Sequence, residues 1–245
     1  MNAIEVEGLT KKFGNFAAVD SISFNVGRGE IFGFLGANGA GKSTAMRMLC
    51  GLLEPTSGRA KVAGFDVYGQ REQIKKNIGY MSQKFSLYGD LTVAENIKFW
   101  GGLYGLSRAE IRARREEIVG SLEMRGWENS FVESLPLGWK QKLAFSISIM
   151  HSPKVVFLDE PTGGVDPIVR RKFWEEIYAA SRRSITVFVT THYMDEAEYC
   201  DRVSIMVDGR IRALGTPEEL KKKFGRPDMD GVFKALARGA QRGDG

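Results

Sequence analysis

The sequence predicts an α/β protein: a mostly parallel core sheet, an N-terminal antiparallel β subdomain and an inserted α-helical subdomain. Three observations predict it. Strand and helix patterns alternate through the last third of the chain, which argues for parallel strands joined by crossover helices. The N-terminal strands alternate apolar with polar residues, the pattern of a sheet with one wet face. Between these regions the pattern turns helical, with helix-start signals at Thr92 and Ser107.

Residues 4–9 and 19–26 carry the alternating pattern. The Gly27-Arg28-Gly29 turn leads into Ile31–Leu35, an unbroken apolar run that fits a strand buried on both faces. A glycine-rich loop follows, then a helix over 42–50 ended by Gly51. Strands near 60–63 and 78–81 complete the first half. Thr92-Val-Ala-Glu95 and Ser107-Arg-Ala-Glu110 both match the capping box, in which each end of the motif satisfies a free backbone N–H. They open helices expected over 93–104 and 108–122, and a third helix is expected from about Gly138 to His151. The last third reads as strand 155–158, helix 167–180, strand 185–190, helix 194–200 and strand 202–207. Thr216-Pro217-Glu218-Glu219 starts a short helix with proline at its first position. The tail over 226–245 is glycine- and charge-rich, with one apolar patch at Val232-Phe233.

At 245 residues the chain accommodates one large or two small domains and a sizeable core. Its 43% hydrophobic and 27% charged residues fit a folded soluble protein. No stretch approaches the ~18–20 uninterrupted apolar residues of a membrane helix. Glu5 and Glu7 interrupt the apolar start, which does not fit a secretory signal. The expectation is a cytoplasmic protein that meets a membrane only through a partner. The net charge of +5 is too small and too scattered to argue for nucleic acid, and the clusters at 108–115 and 221–226 read as solvated faces. Cys50 and Cys200 lie far apart and the histidines are His151 and His192 alone, so no zinc spacing or disulfide framework is suggested. Both cysteines are expected to be small buried or half-buried fillers.

The strongest chemical signal is Gly36-Ala-Asn38-Gly39-Ala40-Gly41-Lys42-Ser43-Thr44, which matches G-x-x-x-x-G-K-[ST] after an apolar strand and before a helix. The glycines let successive backbone N–H groups turn inward onto an anion, and the helix N-terminus adds to that field. Lys42 is expected to neutralise the β- and γ-phosphates of a nucleotide, and the Ser43 hydroxyl to coordinate Mg²⁺. Residues 155–158 are an apolar strand that runs into Asp159 and Glu160. The carboxyl edge of a parallel sheet is where ligands bind in such folds. Asp159 is placed to hold Mg²⁺ through water, and Glu160 is the candidate general base for the attacking water.

Four weaker signals accompany these. Gln83 ends the strand Ile78-Gly-Tyr-Met-Ser-Gln83, where a neutral amide can hold Mg²⁺ and the attacking water, although most lone glutamines are surface residues. His192 follows the strand at 185–190 and can reach a γ-phosphate, although a capped or buried structural histidine is the commoner outcome. Asp166 lies in the Gly163-Gly164-Val165-Asp166 turn, with helix capping as the plainer role. Phe13 offers an aromatic face for a purine, with core packing as the alternative.

In this order and spacing the motifs resemble the ATP-binding subunits of ABC transporters, over about residues 1–220. Lys11-Lys-Phe13-Gly fits that family's adenine-stacking loop, and Asp159-Glu-Pro-Thr-Gly-Gly-Val-Asp166 fits its second Walker motif running into the dimer-contact turn. Thr191-His-Tyr-Met-Asp-Glu-Ala-Glu198 and Val207-Asp-Gly-Arg-Ile211 look like its histidine switch and following hairpin. Phe13 and the tail Met229-Asp-Gly-Val-Phe233 are similar to the drug- and polymer-exporting branch.

The resemblance implies a P-loop NTPase (RecA-like) core, a helical insertion at about 84–140 and a separate tail at 221–245. It implies MgATP as ligand, hydrolysis with Glu160, His192, Gln83 and Lys42 in catalytic roles, and Ser43, Gln83 and Asp159 around the metal. Phe13, residues 36 and 38–44, Gly138 and Asp166 are implied to contact nucleotide. The implied partners are an integral-membrane permease subunit and a second ATP-binding subunit, as homodimer or heterodimer, at the inner face of the cell membrane. Phe85, Tyr88 and Trp100 are candidates to receive a permease segment, with core packing the alternative for Trp100. A soluble relative acting on ribosomes or DNA usually carries two such modules or a long coiled coil. A small-molecule kinase leaves Gln83, Asp166 and His192 without a role.

One departure stands out. The family usually carries Leu-Ser-Gly-Gly-Gln before the third helix, where this chain has Leu135-Pro136-Leu137-Gly138-Trp139-Lys140-Gln141. Pro136 offers neither hydroxyl nor backbone N–H, and Leu137 removes a flexible glycine. The Gly138 amide and the helix N-terminus remain able to face an anion.

Overall fold

The computed structural model describes residues 2–83 and 87–240, the last three of these by backbone alone. Two strand patterns produce two sheets. β1 (Asn2–Phe13) and β2 (Phe16–Gly27) alternate buried with exposed side chains over much of their length. They pair antiparallel from Asn2↔Gly27 to Phe13↔Phe16. β4 (Ser57–Val62) and the short β5 (Phe65–Asp66) complete this sheet in the order β2-β1-β4-β5.

β3 (Ile31–Leu35), β7 (Val155–Asp159) and β8 (Thr186–Thr191) are buried at every position, as strands covered on both faces must be. With β6 (Ile78–Met81), β9 (Arg202–Val207) and β10 (Arg210–Gly215) they form a second sheet ordered β10-β9-β3-β8-β7-β6. Its neighbours run parallel except in the β9–β10 hairpin. Because β3, β6, β7 and β8 run the same way, the loops after them emerge at one edge. That edge carries residues 36–41, Gln83, Glu160 and His192.

The core lies on both faces of this sheet. Phe24, Phe32, Phe34, Phe157 and Phe188 stack with centroids 5.3–6.1 Å apart, joining the two sheets. α1 (Lys42–Leu49) packs into the same cluster through Ala45, Met46, Met48 and Leu49. The opposite face meets α3 (Val93–Leu103), α4 (Arg108–Ser121), α5 (Leu137–Ile149) and α6 (Pro167–Arg182). The capping boxes at Thr92, Ser107 and Thr216 are all formed.

Several expectations are revised. α2 (Arg71–Asn77) and β5 were not foreseen; α2 buries only Ile74, so it carries almost no periodic signal. Residues 194–199 form a six-residue 3-10 helix rather than an α-helix. Its N-cap, Tyr193, has no side-chain capping bond, and short helical connectors often tighten this way. The expected boundary after residue 220 falls inside α7 (Pro217–Phe224). Most of the tail is helical, as α8 (Met229–Ala240), whose buried Met229 and Val232 join the core cluster. The sequence hid this helix because glycines and charges surround its few apolar residues. Cys50 and Cys200 are buried free thiols.

Candidate active site

The glycine-rich loop joins β3 to α1. Gly41 has φ +101, and a Cβ there would lie 2.2 Å from the Ala18 carbonyl oxygen, so only glycine lets the loop press against β2. Gly36 is equally constrained: a Cβ would lie 2.5 Å from the Met206 carbonyl oxygen. Lys42 is buried and donates from Nζ to the carbonyls of Gly36 at 2.9 Å and Ala37 at 3.1 Å. The same ammonium pairs with Glu160 Oε1 at 3.4 Å.

Around this loop, a cavity of about 480 Å³ is lined by Asn38, Gly39, Gly41, Lys42, Ser43 and Thr44, by Gln83 and Glu160, and by Phe13, Phe16 and Ala18. Phe13 and Phe16 are both more than half exposed, at 53% and 65%. Lys11 Nζ lies 5.2 Å from the Phe13 ring centroid.

β7 delivers two carboxyl groups to the opposite wall, with different partners. Asp159 Oδ1 accepts from the Ser43 hydroxyl at 3.1 Å and the Thr190 hydroxyl at 2.6 Å. Beneath it lie Cys50 and Tyr80. Burial, helped by the Asp159 charge, pushes the Cys50 thiol well up and the Tyr80 phenol up to about 12, so both stay neutral. Glu160 sits at φ +50, a left-handed backbone that costs a non-glycine residue about 1 kcal/mol or more. The Glu160 N–H donates to the Thr190 carbonyl and hydroxyl oxygens, each at 3.1 Å, and this anchors the bend. Glu160 Oε2 then meets Gln83 Nε2 and His192 Nδ1, each at 3.0 Å. Facing a carboxylate oxygen, His192 Nδ1 carries the proton.

Two expected residues stand apart from this cavity. Asp166 caps α6, accepting from the N–H groups of Ile168 and Val169 at 3.0 Å each. Gly138 lies in the first turn of α5 against α6, where a Cβ would sit 2.5 Å from Val169 Cγ1. The glycine thus lets α5 approach α6 closely here, whatever its amide faces. Ala40 is buried, and its carbonyl accepts from Gly209 N–H at 3.1 Å. Of the outlying aromatics, Trp100 packs partly buried on the core and Tyr88 is exposed. Phe85 lies outside the described residues.

A protein-family model described as "ABC transporter" matches residues 19–163, more than half of the 245-residue chain. The chain belongs to the ABC transporter family. "Probable multidrug ABC transporter ATP-binding protein YbhF" of Escherichia coli (strain K12) is 52% identical over 95% of the chain, and the chain spans 41% of that protein's length. "Linearmycin resistance ATP-binding protein LnrL" of Bacillus subtilis (strain 168) is 35% identical over 91% of the chain and 72% of that protein. A solved "Structure of ATP binding subunit of ABC transporter" superposes with a TM-score of 0.85 at 28% identity, covering 96% of this chain and 99% of that one. The ABC fold thus accounts for both sheets and the inserted helices.

This ABC domain also uses residues that motif reading passed over. Thr190 holds both Asp159 and the Glu160 backbone. Its only sequence signal is a hydroxyl residue closing an apolar strand. Phe16 lines the cavity beside Phe13 because the two are partners across the β1–β2 hairpin. The donor set fits Mg²⁺, which prefers hard oxygens and keeps most of its water: the Ser43 hydroxyl and Asp159 carboxyl already share an oxygen contact.

Proposed function

We propose that this chain is the ATP-hydrolysing subunit of a membrane exporter, driven by closure and opening of two such subunits. One observation carries the reading. The Glu160 carboxyl group is held by Lys42, Gln83 and His192 at the wall of the same cavity that the phosphate loop lines. Phosphoryl transfer asks a protein mainly for positioning and charge, and this constellation offers both.

The residue roles follow from the contacts. The amides of Gly39, Gly41 and Lys42 cradle phosphate oxygens, and the Lys42 ammonium exchanges its Glu160 partner for the β- and γ-phosphates. Glu160 accepts the proton of the attacking water, whose position is set by Gln83 and His192. Ser43, Gln83 and Asp159 are the residues that would hold Mg²⁺, which would supply positive charge to neutralise the phosphates. Phe13, with Phe16 beside it, stacks on the base. Gly138 and Asp166 lie outside their own chain's cavity, which supports contact with nucleotide or loop on a second subunit. No helix among the described residues is long and apolar enough to cross a membrane; the proposed partner is an integral-membrane permease met at the inner face. Tyr88 and Phe99, exposed and edge-on at 5.0 Å, support the helical region as its docking side. The names of YbhF and LnrL, a probable multidrug ABC transporter ATP-binding protein and a linearmycin resistance ATP-binding protein, favour export.

Glu160→Gln tests the assignment. The variant is expected to bind MgATP, to lose hydrolysis by about 10²–10⁴-fold, and to accumulate as an ATP-bound dimer on a sizing column. Full turnover by this variant would remove Glu160 from the role of base.

A further inference from the structure

Beside the catalytic cavity lies a second polar cluster that the proposed mechanism leaves unused. Glu196, in the 3-10 helix after His192, has no exposed surface. Its Oε1 accepts from the Thr162 hydroxyl, meets Trp174 Nε1 at 3.5 Å and faces Arg170 Nε at 3.7 Å. Among the described residues, Glu196 Oε2 and Arg170 Nε make no hydrogen bond of their own. Arg170 also pairs with Asp195 at 3.2 Å and lies 4.2 Å from the Tyr193 ring centroid. The Tyr193 ring is in turn 4.2 Å from the His192 imidazole.

Burying a carboxyl group with one oxygen unpartnered is unfavourable, and an apolar residue of similar volume often stabilises a core better. The partners show what the group does instead. Thr162 lies two residues beyond Glu160, Arg170 and Trp174 lie on the helix capped by Asp166, and Tyr193 and Asp195 follow His192. Glu196 and Arg170 therefore join the three segments whose relative register decides whether His192 meets Glu160. The Gly163 carbonyl in the same turn accepts from Gln141 of α5 at 3.3 Å, so a contact made at this turn by another subunit has a short path to the histidine.

We propose that Glu196 is a positioning residue of the ATPase site, an inference that rests on the hydrolytic reading above. Paired with Arg170, it locks the turn after Glu160, the start of α6 and the His192 segment in one register, and so keeps His192 on the Glu160 carboxyl group. With no exposed surface, it acts through these contacts rather than on the reacting atoms.

Glu196→Gln in the full chain keeps the shape and the Thr162 contact while removing the charge that faces Arg170. The expected result is a kcat lowered about tenfold or more with KM for MgATP within about twofold of the parent. The chain has only two histidines, so imidazoles ¹³C-labelled at Cε1 give two NMR signals. The His192 signal is expected to shift in Glu196→Gln while the His151 signal stays. Comparing Arg170→Met with the double variant keeps the test available if Glu196→Gln folds poorly. Arg170→Met strands a buried carboxyl group, and Arg170→Met combined with Glu196→Gln is expected to recover part of its loss in kcat. Unchanged kcat in Glu196→Gln, a lowered kcat with both histidine signals in place, or losses that simply multiply in the double variant would each overturn the proposal. A parent chain that binds or hydrolyses no MgATP would instead overturn the ATPase reading itself.

Discussion

The two helix N-termini expected to face phosphate, those of α1 and α5, differ in everything except the helix. α1 begins behind a glycine-rich loop, with a buried lysine in its first turn and a carboxyl pair across a cavity. α5 begins at Pro136, which provides no side-chain cap, and its first turn packs against α6. A helix dipole alone is a weak determinant; a phosphate site needs amides, a cation and a wall around the same volume. α1 has all of these within one chain. α5 offers only amides, so a role for it requires the surface of another subunit.

The largest effect is expected from breaking the α1 side. Lys42→Ala removes the ammonium that bonds the Gly36 and Ala37 carbonyls and pairs with Glu160. Losing charge-assisted contacts of about 1.5–3 kcal/mol each should weaken MgATP binding about a hundredfold or more, read by calorimetry. Sharpening the α5 side comes next. Pro136→Ser with Leu137→Gly restores a hydroxyl and an N–H, and ATP-dependent dimerisation should tighten roughly tenfold to a hundredfold on a sizing column or by sedimentation. An unaltered dimerisation constant would show that α5 does not face nucleotide.

A smaller effect is expected at the base end of the α1 cavity. Phe13→Ala should weaken ATP affinity about tenfold, within the ~1–3 kcal/mol range of a base–aromatic stack, with kcat at saturation little changed. The smallest effect probes the far end of α5, where His151 Nε2 meets the Ile78 carbonyl at 3.0 Å and the ring stacks on Tyr104 at 3.9 Å. Burial holds its imidazole below the ordinary value of 6.5, outweighing the opposing bond to Ile78. Folding therefore favours the neutral ring. The associated stability is complete above the unfolded value and is lost as pH falls toward and through the lower folded value. Thermal unfolding scanned from pH 7 to pH 5 should show a shallower drop in His151→Gln than in the parent.

Both helices were legible as helices, but only α1 was legible as a site. Its motif is local: nine consecutive residues set the turn, the cation and the hydroxyl together. Asp159 and Glu160 were readable because an apolar strand must end at the sheet edge where the loop also emerges. Thr190 was not, since its partners lie 30 and 31 residues earlier and only the β7–β8 pairing brings them together. Glu196 was hidden for the same reason, with Thr162 distant by 34 residues and Trp174 by 22. α8 escaped because its buried positions, Met229 and Val232, find their cover on other elements rather than within the segment.

By itself the sequence determined the local physics: the glycine turns, the helix caps, the buried strands and the chemical groups at their ends. Only the tertiary structure decided which of those groups share a carboxyl oxygen, and that Gly138 and Asp166 belong to a different surface from Lys42. The reason is that backbone preferences act over a few residues, whereas a catalytic distance is set by strands and helices packing across the whole sheet.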